Sequence, residues 1–469
     1  MVFVGHGARQ RVPGQHDRHR RSAACGDRIE PHATQLIVAW ASASEDGSGD
    51  GVYAQRYNLN GAAIGAPFRV NTTTSGNQTA PAVAMDSLGD FVIVWQSAGQ
   101  DGSGDGIYGR RYGYDATPLA GEFRVNSTTT GNQQAPAIAM NDTGAFAVAF
   151  QSASRDASGN AVVARVYSAA GTALASDFQV NQFTSGDQQA PSIAMAASGQ
   201  FIVSWQSAAQ DGNGDAIVAR RYGSTGTALA AEAIVNQTTA GNQDAPSVAA
   251  NSDGSYVIAW QSAGQDGNSD AVVARRYDAS GVAQGNEFQV NQFTTGSQSA
   301  PSVTSADSSG FVVAWQSAGQ DGNSDAVVAR QYSATGTASG NEFVVNTFAA
   351  GAQNNPWIAM EADGDFLVAW QSASQETGGG TSLGVFARRY SAVNDAPVMR
   401  EISNQITDVG GTISFTAKAD DEDLPVDSLS YSLAPGAPVG ATINTTTGAF
   451  NWPTAGVDPG RYFVTVQAQ

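Results

Sequence analysis

Paired aspartates recur along the chain at a spacing that suits a hard cation. The segments DGSGD, DGNGD and DGNSD place carboxylates at positions i and i+4, with Ser or Asn between them. Calcium takes about 6 to 8 oxygen ligands, and such loops supply several at once. The pattern predicts calcium ligands, and calcium as the one possible cofactor, at five loops: Asp46, Asp50, Asp101, Asp105, Asp211, Asp215, Asp266, Asp270, Asp321 and Asp325.

The same residue types also favour a tight turn without any metal. Asp, Asn and Ser side chains bond to their own backbone, and Gly supplies the unusual dihedral angles that such a turn requires. The pattern is incomplete in two further copies, which read DASGN over 156–160 and ETGGGTSLG from Glu376. Calcium ligation and turn formation therefore both remain open for these loops.

The distribution of chemically reactive side chains argues against catalysis. Catalysis needs a unique cluster of a positioned acid, base or nucleophile. All four histidines and the single Cys25 lie before residue 34, and the acids beyond it occupy mostly repeated positions. The sequence predicts no catalytic residue and a protein that is not an enzyme.

A strict 55-residue period positions the loops. It is marked by Trp40, Trp95, Phe150, Trp205, Trp260, Trp315 and Trp370. A fixed period of this size is typical of repeat proteins, in which each unit buries its apolar face against its neighbours. We expect these aromatic residues to occupy equivalent core positions.

One repeat, residues 81–126, contains four short segments with strand character. PAVAM, DFVIVW, GIYGRRY and EFRVN are apolar or β-branched and are separated by turn-forming residues. Seven four-stranded antiparallel sheets arranged radially would leave only short edges. The expected fold is all-β: a seven-bladed β-propeller of 55-residue repeats over residues 34–390.

The repeat resembles known propeller blades. The order P-x-[IV]-A, an Asp/Gly turn and an apolar strand ending in Trp is similar to the blades of sialidase-like propellers and of repeats in bacterial surface proteins. The resemblance implies that PxxA is the innermost strand and FxVN the outermost. It also implies an alternative function as a glycosidase or lyase. The Asp loops resemble the first half of an EF-hand loop without its distal Glu.

The first 33 residues differ from the rest in composition. They hold all the histidines and the run DRHRRS, where the period requires a closing strand and an inner strand. A one-base frame shift of permitted codons restores a half-repeat similar to FRVNTTTSGNQTAPAVA at 68–84. We interpret residues 1–33 as an aberrant, frameshifted head in which those strands are missing or badly formed, and expect a signal peptide to have been lost upstream.

The repeat stops at Ser391. Residues 391–395 are interpreted as a linker, and the motifs LSYSLAPGAPVGATINTTTGAFNW and RYFVTVQAQ resemble immunoglobulin-like modules of the dystroglycan and cadherin type. The resemblance implies a C-terminal β-sandwich over 396–469, with Trp452 in its core. It further implies interdomain calcium ligands at Asp395, Asp421 and Asp423, although a solvated acidic turn explains them equally well.

Charge and hydropathy narrow the range of partners. The net charge is −19 and the pI about 4.4, which disfavours nucleic acid and anionic membranes as partners. No apolar run is long enough to insert into a membrane. The main functional hypothesis is an extracellular adhesion or ligand-binding region of a larger bacterial surface or secreted protein. Its expected partner is a glycan or a protein ligand on a surface.

Overall fold

The structure is a computed structural model, and it is described over most of the repeat region. The described residues are 10–11, 20–25, 35–43, 45–58, 62–153, 155–156, 158–307, 309–361, 363–373, 375, 383–391, 397–400, 402–420 and 429–468. Across these ranges the secondary structure is β-strand and turn, with no helix. The prediction of an all-β chain is confirmed.

Four-stranded antiparallel sheets recur through the repeat region. Sheet 1 contains β2 (Arg20–Cys25), β3 (Gln35–Ala43), β4 (Asp50–Asn58) and β5 (Ala63–Arg69); sheet 2 contains β6 (Gln78–Met85), β7 (Phe91–Ala98), β8 (Asp105–Tyr112) and β9 (Phe123–Arg124); sheet 3 contains β10 (Gln133–Met140), β11 (Phe146–Ala153), β12 (Asn160–Tyr167) and β13 (Phe178–Gln179); sheet 4 contains β14 (Gln188–Met195), β15 (Phe201–Ala208), β16 (Asp215–Tyr222) and β17 (Ala233–Ile234).

The remaining sheets of the repeat region continue the series. Sheet 5 contains β18 (Gln243–Ala250), β19 (Tyr256–Ala263), β20 (Asp270–Tyr277) and β21 (Phe288–Gln289); sheet 6 contains β22 (Gln298–Ala306), β23 (Gly310–Ala318), β24 (Asp325–Tyr332) and β25 (Phe343–Val344); sheet 7 contains β26 (Gln353–Met360), β27 (Phe366–Ala373), β28 (Leu383–Tyr390) and β1 (Gln10–Arg11). In sheets 1 to 6 the strand order follows the chain.

The cores lie between successive sheets. Trp95 is fully buried in a cluster that joins Ile37 of sheet 1 to Ile93 of sheet 2. The same cluster type, each with its own buried aromatic residue, joins later pairs of sheets. The repeated aromatic residues therefore hold neighbouring sheets together, as their spacing predicts.

The first strands of neighbouring sheets lie beside one another. The backbone N–H of Val303 in sheet 6 donates a hydrogen bond to the hydroxyl of Ser247 in sheet 5 at 3.1 Å. The N–H of Ile358 in sheet 7 donates in the same way to Ser302 at 3.3 Å. Such contacts place the first strands, which we call the inner strands, along one side of the stack.

Two short strands, β1 and β2, lie in the N-terminal head, where the sequence predicts that the closing strand and the inner strand are missing or badly formed. β2 pairs with β3, with Ala24 opposite Ala39. β1 pairs with β28, with Gln10 opposite Ala387, and provides the fourth strand of sheet 7. Pairing depends on backbone groups, so a segment of foreign composition can still complete a sheet. The other head residues lie outside the described ranges, and the frame-shift hypothesis stays a prediction.

The chain divides into two compact units, of which the smaller includes residues 390–469. Its strands are β29 (Val398–Met399), β30 (Thr412–Thr416), β31 (Ala419–Asp420), β32 (Tyr431–Leu433), β33 (Thr442–Ile443), β34 (Ala449–Pro453) and β35 (Val466–Ala468). Trp452 is buried, packs edge-on against Tyr462 at 5.1 Å and donates a hydrogen bond to the carbonyl of Val439. It forms the centre of this module's small core.

The described residues contain no helix with the length and apolar character that a membrane span requires.

Candidate functional site

The Asp-containing loops and the segments that link each sheet to the next meet at one edge of the sheets. The loop 98–105 of sheet 2 contacts the link between sheets 2 and 3, where the N–H of Asp105 donates to Asn132 Oδ1 at 3.2 Å. Sheets 1 and 4 make the equivalent contact through Asn77 and Asn242. We call this side of the sheets the loop edge.

The first Asp of each loop is used by the loop itself. Asp101 Oδ1 accepts a hydrogen bond from the N–H of Ser103 at 3.1 Å, and its Oδ2 accepts one from Asn126 Nδ2 at 3.0 Å. Asn126 is buried, and its Oδ1 accepts from the N–H of Ile107. Equivalent carboxylate-to-amide bonds are made by Asp46, Asp211, Asp266 and Asp321. These contacts are what a tight, closed turn requires.

The second Asp of the pair has different partners. Asp105 Oδ2 accepts from Gln96 Nε2 at 3.0 Å and from Gln134 Nε2 of the next sheet at 2.8 Å. Asp215 Oδ2 accepts from Gln206 at 2.7 Å, and Asp270 Oδ2 from Ser297 at 3.0 Å. Thus one Asp closes the loop while the other reaches toward the next inner strand.

These contacts leave calcium binding at the loops as a prediction. Asp50 and Asp325 lie at the equivalent position to Asp105, at the start of their strands. Asp395, Asp421 and Asp423 fall outside the described residues, so the interdomain ligand hypothesis is not addressed by the structure.

One acidic group within the described ranges does bring three carboxylates together. Oxygens of Glu361, Asp363 and Asp365 lie within 4.8 Å of one another, in the first turn of sheet 7. Arg389 Nη2 lies 3.4 Å from Glu361 and 2.5 Å from Asp365. Burial raises the pKa of Glu361, and Arg389 opposes that rise. The guanidinium already supplies positive charge to this cluster.

A recurrent irregularity distorts each inner strand close to the loop edge. In six sheets the residue before the proline that recurs in every inner strand of sheets 2 to 7 has positive φ, between 47° and 50°. These residues are Ala80, Ala135, Ala190, Ala245, Ala300 and Asn355. The strand register shifts at the same place, as between Asp244 and Ser247 in sheet 5. Bulges of this type re-aim side chains and concentrate near functional sites.

Asp244 is the acid that sequence reasoning missed. It directly precedes the bulge residue Ala245, where the other described sheets have Thr79, Gln134, Gln189, Ser299 and Asn354. Burial raises its pKa, and the charges of Asp215 in sheet 4 and Asp270 in sheet 5 raise it further. The available signal was one acidic residue at a repeat position that is neutral in the other described sheets. The repeated Asp loops drew attention away from it.

The surroundings of Asp244 favour a protonated carboxyl. Asp244 is partly exposed and lies opposite Gln261 in the sheet. A carboxyl with raised pKa keeps its proton at higher pH, while neighbouring carboxylates that accept hydrogen bonds are held in position.

These features define an all-β protein of repeated four-stranded sheets, joined to a small immunoglobulin-like module. Residues 396–469 match the family described as "Putative Ig domain". No curated protein matches the chain. Several solved structures similar to the chain are enzymes whose names state an action on glycans.

The polysaccharide lyase Uly1 has a similar structure, with 11% identity and a TM-score of 0.51 over 78% of this chain and 89% of that one. The Hadza microbial sialidase Hz136 is 10% identical, with a TM-score of 0.41 over 72% and 73% of the two chains. An α-L-arabinofuranosidase from Fusarium graminearum is 11% identical, with a TM-score of 0.42 over 79% and 92%. At such identities the likeness concerns the fold.

The prediction that this chain is not an enzyme is contradicted. Its basis was that no His or Cys follows His32 and that the acids mostly sit at repeated positions, but Asp244 does not sit at one. The polysaccharide lyase Uly1 shares the fold, so the fold itself is no reason to exclude catalysis.

Proposed function

We propose that the sheets close into a seven-bladed β-propeller over residues 34–390, completed by β1 and β2 from the head. Two contacts support closure: the pairing of β1 with β28 and a buried cluster that joins Leu36 and Trp40 of sheet 1 to Ala359 and Leu367 of sheet 7. The linker 391–395 then leads to a β-sandwich of the cadherin or dystroglycan type over 396–469.

We further propose that the propeller is a glycosidase, with Asp244 as its general acid. The single observation that carries this proposal is the place of Asp244: the one inner-strand carboxyl of the described sheets, beside the bulge residue Ala245 and within electrostatic range of Asp215 and Asp270. Glycoside hydrolysis uses such a pair, one protonated and one charged. Asp244 would protonate the glycosidic oxygen as its bond to the anomeric carbon breaks. Asp215 or Asp270 would direct water, or attack, at that carbon.

The charge of the chain favours a neutral glycan over an anionic one. A lyase acting on uronate polymers must attract a polyanion, whereas this chain has a net charge of −19 and its loop edge carries repeated aspartates. Like charges disfavour association of such partners. Hydrolysis of a neutral glycan therefore fits better than β-elimination.

The setting proposed for this activity is the cell surface or the extracellular medium of a bacterium. The immunoglobulin-like match at 396–469 supports it, as does the similarity of the repeat to those of bacterial surface proteins. Glycan binding, which adhesion would also need, is the first step of the proposed reaction.

The test is to incubate the full chain with neutral polysaccharides such as xylan, mannan, galactan and β-glucan, and separately with polygalacturonate. We expect new reducing ends from a neutral glycan and no unsaturated product from the uronate polymer. Asp244→Asn should lower the rate by about 10²-fold or more, the usual effect of removing a general acid.

Asp253→Asn is the matched control. Asp253 is an exposed residue in the turn between β18 and β19 of the same sheet, and its Oδ1 accepts a hydrogen bond from the N–H of Ser255. Its substitution should leave the rate unchanged. An Asp244→Asn variant as active as the wild type would overturn the proposal, as would the absence of hydrolysis on every neutral glycan.

A further inference from the structure

One tryptophan differs from all the others in its environment. The chain has eight tryptophans, and seven of them are buried, whereas Trp357 is 37% exposed. Trp357 belongs to β26, the inner strand of sheet 7. It is absent from the core cluster between sheets 7 and 1, although its strand neighbour Ala359 belongs to that cluster. Its indole is therefore not a core residue of the repeat.

The repeat has a small side chain at this position elsewhere. The equivalent residues are Ala82, Ala137, Ser192, Ser247 and Ser302. In the later sheets this serine accepts a hydrogen bond from the next inner strand, which places the position at the side where inner strands adjoin. A large aromatic side chain there, left partly in water, loses the hydrophobic stabilisation that the other tryptophans gain.

Polar groups accompany the exposed ring. The bulge residue of sheet 7 is Asn355, where the five preceding sheets have alanine. Asn355 is exposed, and its Nδ2 donates a hydrogen bond to Gln371 Oε1 at 3.2 Å. Its amide oxygen has no hydrogen-bond partner within the described part of the chain. An exposed amide and an exposed indole thus occur two residues apart on the inner strand of sheet 7, where they offer an apolar surface and a hydrogen-bonding group.

We propose that Trp357 and Asn355 form a binding subsite for a neutral pyranose, with the apolar face of the sugar ring on the indole and a sugar hydroxyl on the amide. Sites for small ligands combine an aromatic surface with a few fixed polar groups. The choice of a neutral sugar follows from the aspartates at the loop edge, which disfavour uronates. This subsite rests on the proposed function, because the ligand is taken to be a glycan.

The distribution of the tryptophans supplies the measurement. Because the other seven are buried, the fraction of tryptophan fluorescence that acrylamide quenches should come mainly from Trp357. The probes are cello-, manno-, xylo- and galacto-oligosaccharides, with oligogalacturonate as the charged comparison. We expect one of the neutral oligosaccharides to protect the quenchable fraction in the wild type and in Asp244→Asn, and oligogalacturonate not to do so.

The variants separate stacking from folding. Trp357→Ala should remove the quenchable fraction and weaken binding of the protecting oligosaccharide by about tenfold or more, which corresponds to about 1.4 kcal/mol. Trp357→Phe, which keeps a flat apolar ring, should retain most of the affinity. Leu229→Ala, at another exposed apolar residue, should change neither quantity.

The outcomes distinguish this subsite from the proposed catalysis. Protection of Trp357 without hydrolysis would leave the subsite and overturn the glycosidase. Hydrolysis that depends on Asp244, with no protection of Trp357 by any probe, would overturn the subsite alone. Unchanged affinity in a folded Trp357→Ala variant would also overturn it.

Discussion

Two aspartates of sheet 5 lie near the same edge of the sheet in opposite situations. Asp266 belongs to the repeated loop, and its two oxygens accept hydrogen bonds from the N–H of Asn268 and from Asn291 Nδ2. Asp244 lies on the inner strand, and its environment is set by burial and by two neighbouring carboxylates. Hydrogen bonds stabilise the charge of Asp266, whereas burial and like charges disfavour the charged form of Asp244.

The difference shows what repetition means in this chain. A side chain that recurs in every sheet does work that every sheet needs, such as closing a loop or joining two strands. A side chain that differs from the residues at the equivalent position of the other repeats, such as Asp244 or Trp357, is not needed for the repeat and is free to bind a ligand. The following substitutions test the difference between repeated residues and residues that occur in one sheet only.

The largest effect on stability is expected at the amide that holds the repeated loop. Asn291 is buried; its Oδ1 accepts from the N–H of Val272, and its Nδ2 donates to Asp266 and to the carbonyl of Phe293. Asn291→Ala leaves the buried N–H of Val272 without a partner and removes the bonds to Asp266 and Phe293, which should lower the free energy of unfolding by about 3 kcal/mol. Urea unfolding measures the change.

Asn268→Ala provides the comparison, since Asn268 is exposed in the same loop and contributes its backbone N–H to Asp266. Its stability should stay within about 0.5 kcal/mol of the wild type. Equal losses in the two variants would contradict the role assigned to the buried amide.

Sequence reasoning recovers the repeated part of this architecture for physical reasons. The strands of sheet 2 follow from β-branched and aromatic runs, and the burial of Trp95 between sheets follows from the 55-residue period. Local pattern and packing agree there. The Asn126–Asp101 bond is not predictable from local sequence, because the partners are 25 residues apart and meet only when the sheet forms.

The candidate site was hidden for a related reason. The charges that raise the pKa of Asp244 come from Asp215 and Asp270, which lie on two different sheets. Their proximity depends on the stacking of sheets and on the bulge at Ala245, neither of which leaves a local sequence signature. The exposure of Trp357 likewise depends on its position in the assembled sheets.

A smaller effect is expected at the carboxylates that join successive sheets. Burial raises the pKa of Glu122, but hydrogen bonds from Thr72, Gln100 and Thr73 outweigh it and lower the pKa below the ordinary value. A lowered folded-state pKa gives stability that is present above the unfolded-state pKa and is lost as the pH falls through the folded-state pKa.

Glu122→Gln should therefore destabilise the protein at neutral pH by about 1 kcal/mol and should lose less stability than the wild type on acidification. Melting temperatures across the acidic range test this. Parallel acid-induced losses in both proteins would show that Glu122 does not carry the pH dependence.

Asp244 should show the opposite sign. Its folded-state pKa is raised by burial and by Asp215 and Asp270, so the folded state is favoured while the carboxyl is protonated and loses that advantage as the pH rises through the raised pKa. Asp244→Asn removes the charge and should raise the melting temperature slightly at neutral pH while it lowers activity. Sites kept for function commonly show this trade-off. A lower melting temperature in Asp244→Asn would contradict the electrostatic cost assigned to Asp244.

Calcium should give the smallest change, because the first Asp of each loop is already occupied. Asp101 uses its oxygens on Ser103 and Asn126, so a bound ion would depend on Asp105 together with carbonyls or water. An ion that binds only the folded form stabilises it by about 1 kcal/mol when its concentration is a few times the dissociation constant. Calorimetry with calcium and with chelator should show a small rise in melting temperature that Asp105→Ala reduces. Asp101→Ala should lower the melting temperature with or without calcium, since it breaks the bond to Asn126. If millimolar calcium leaves the wild-type melting temperature unchanged, the loops are turns only.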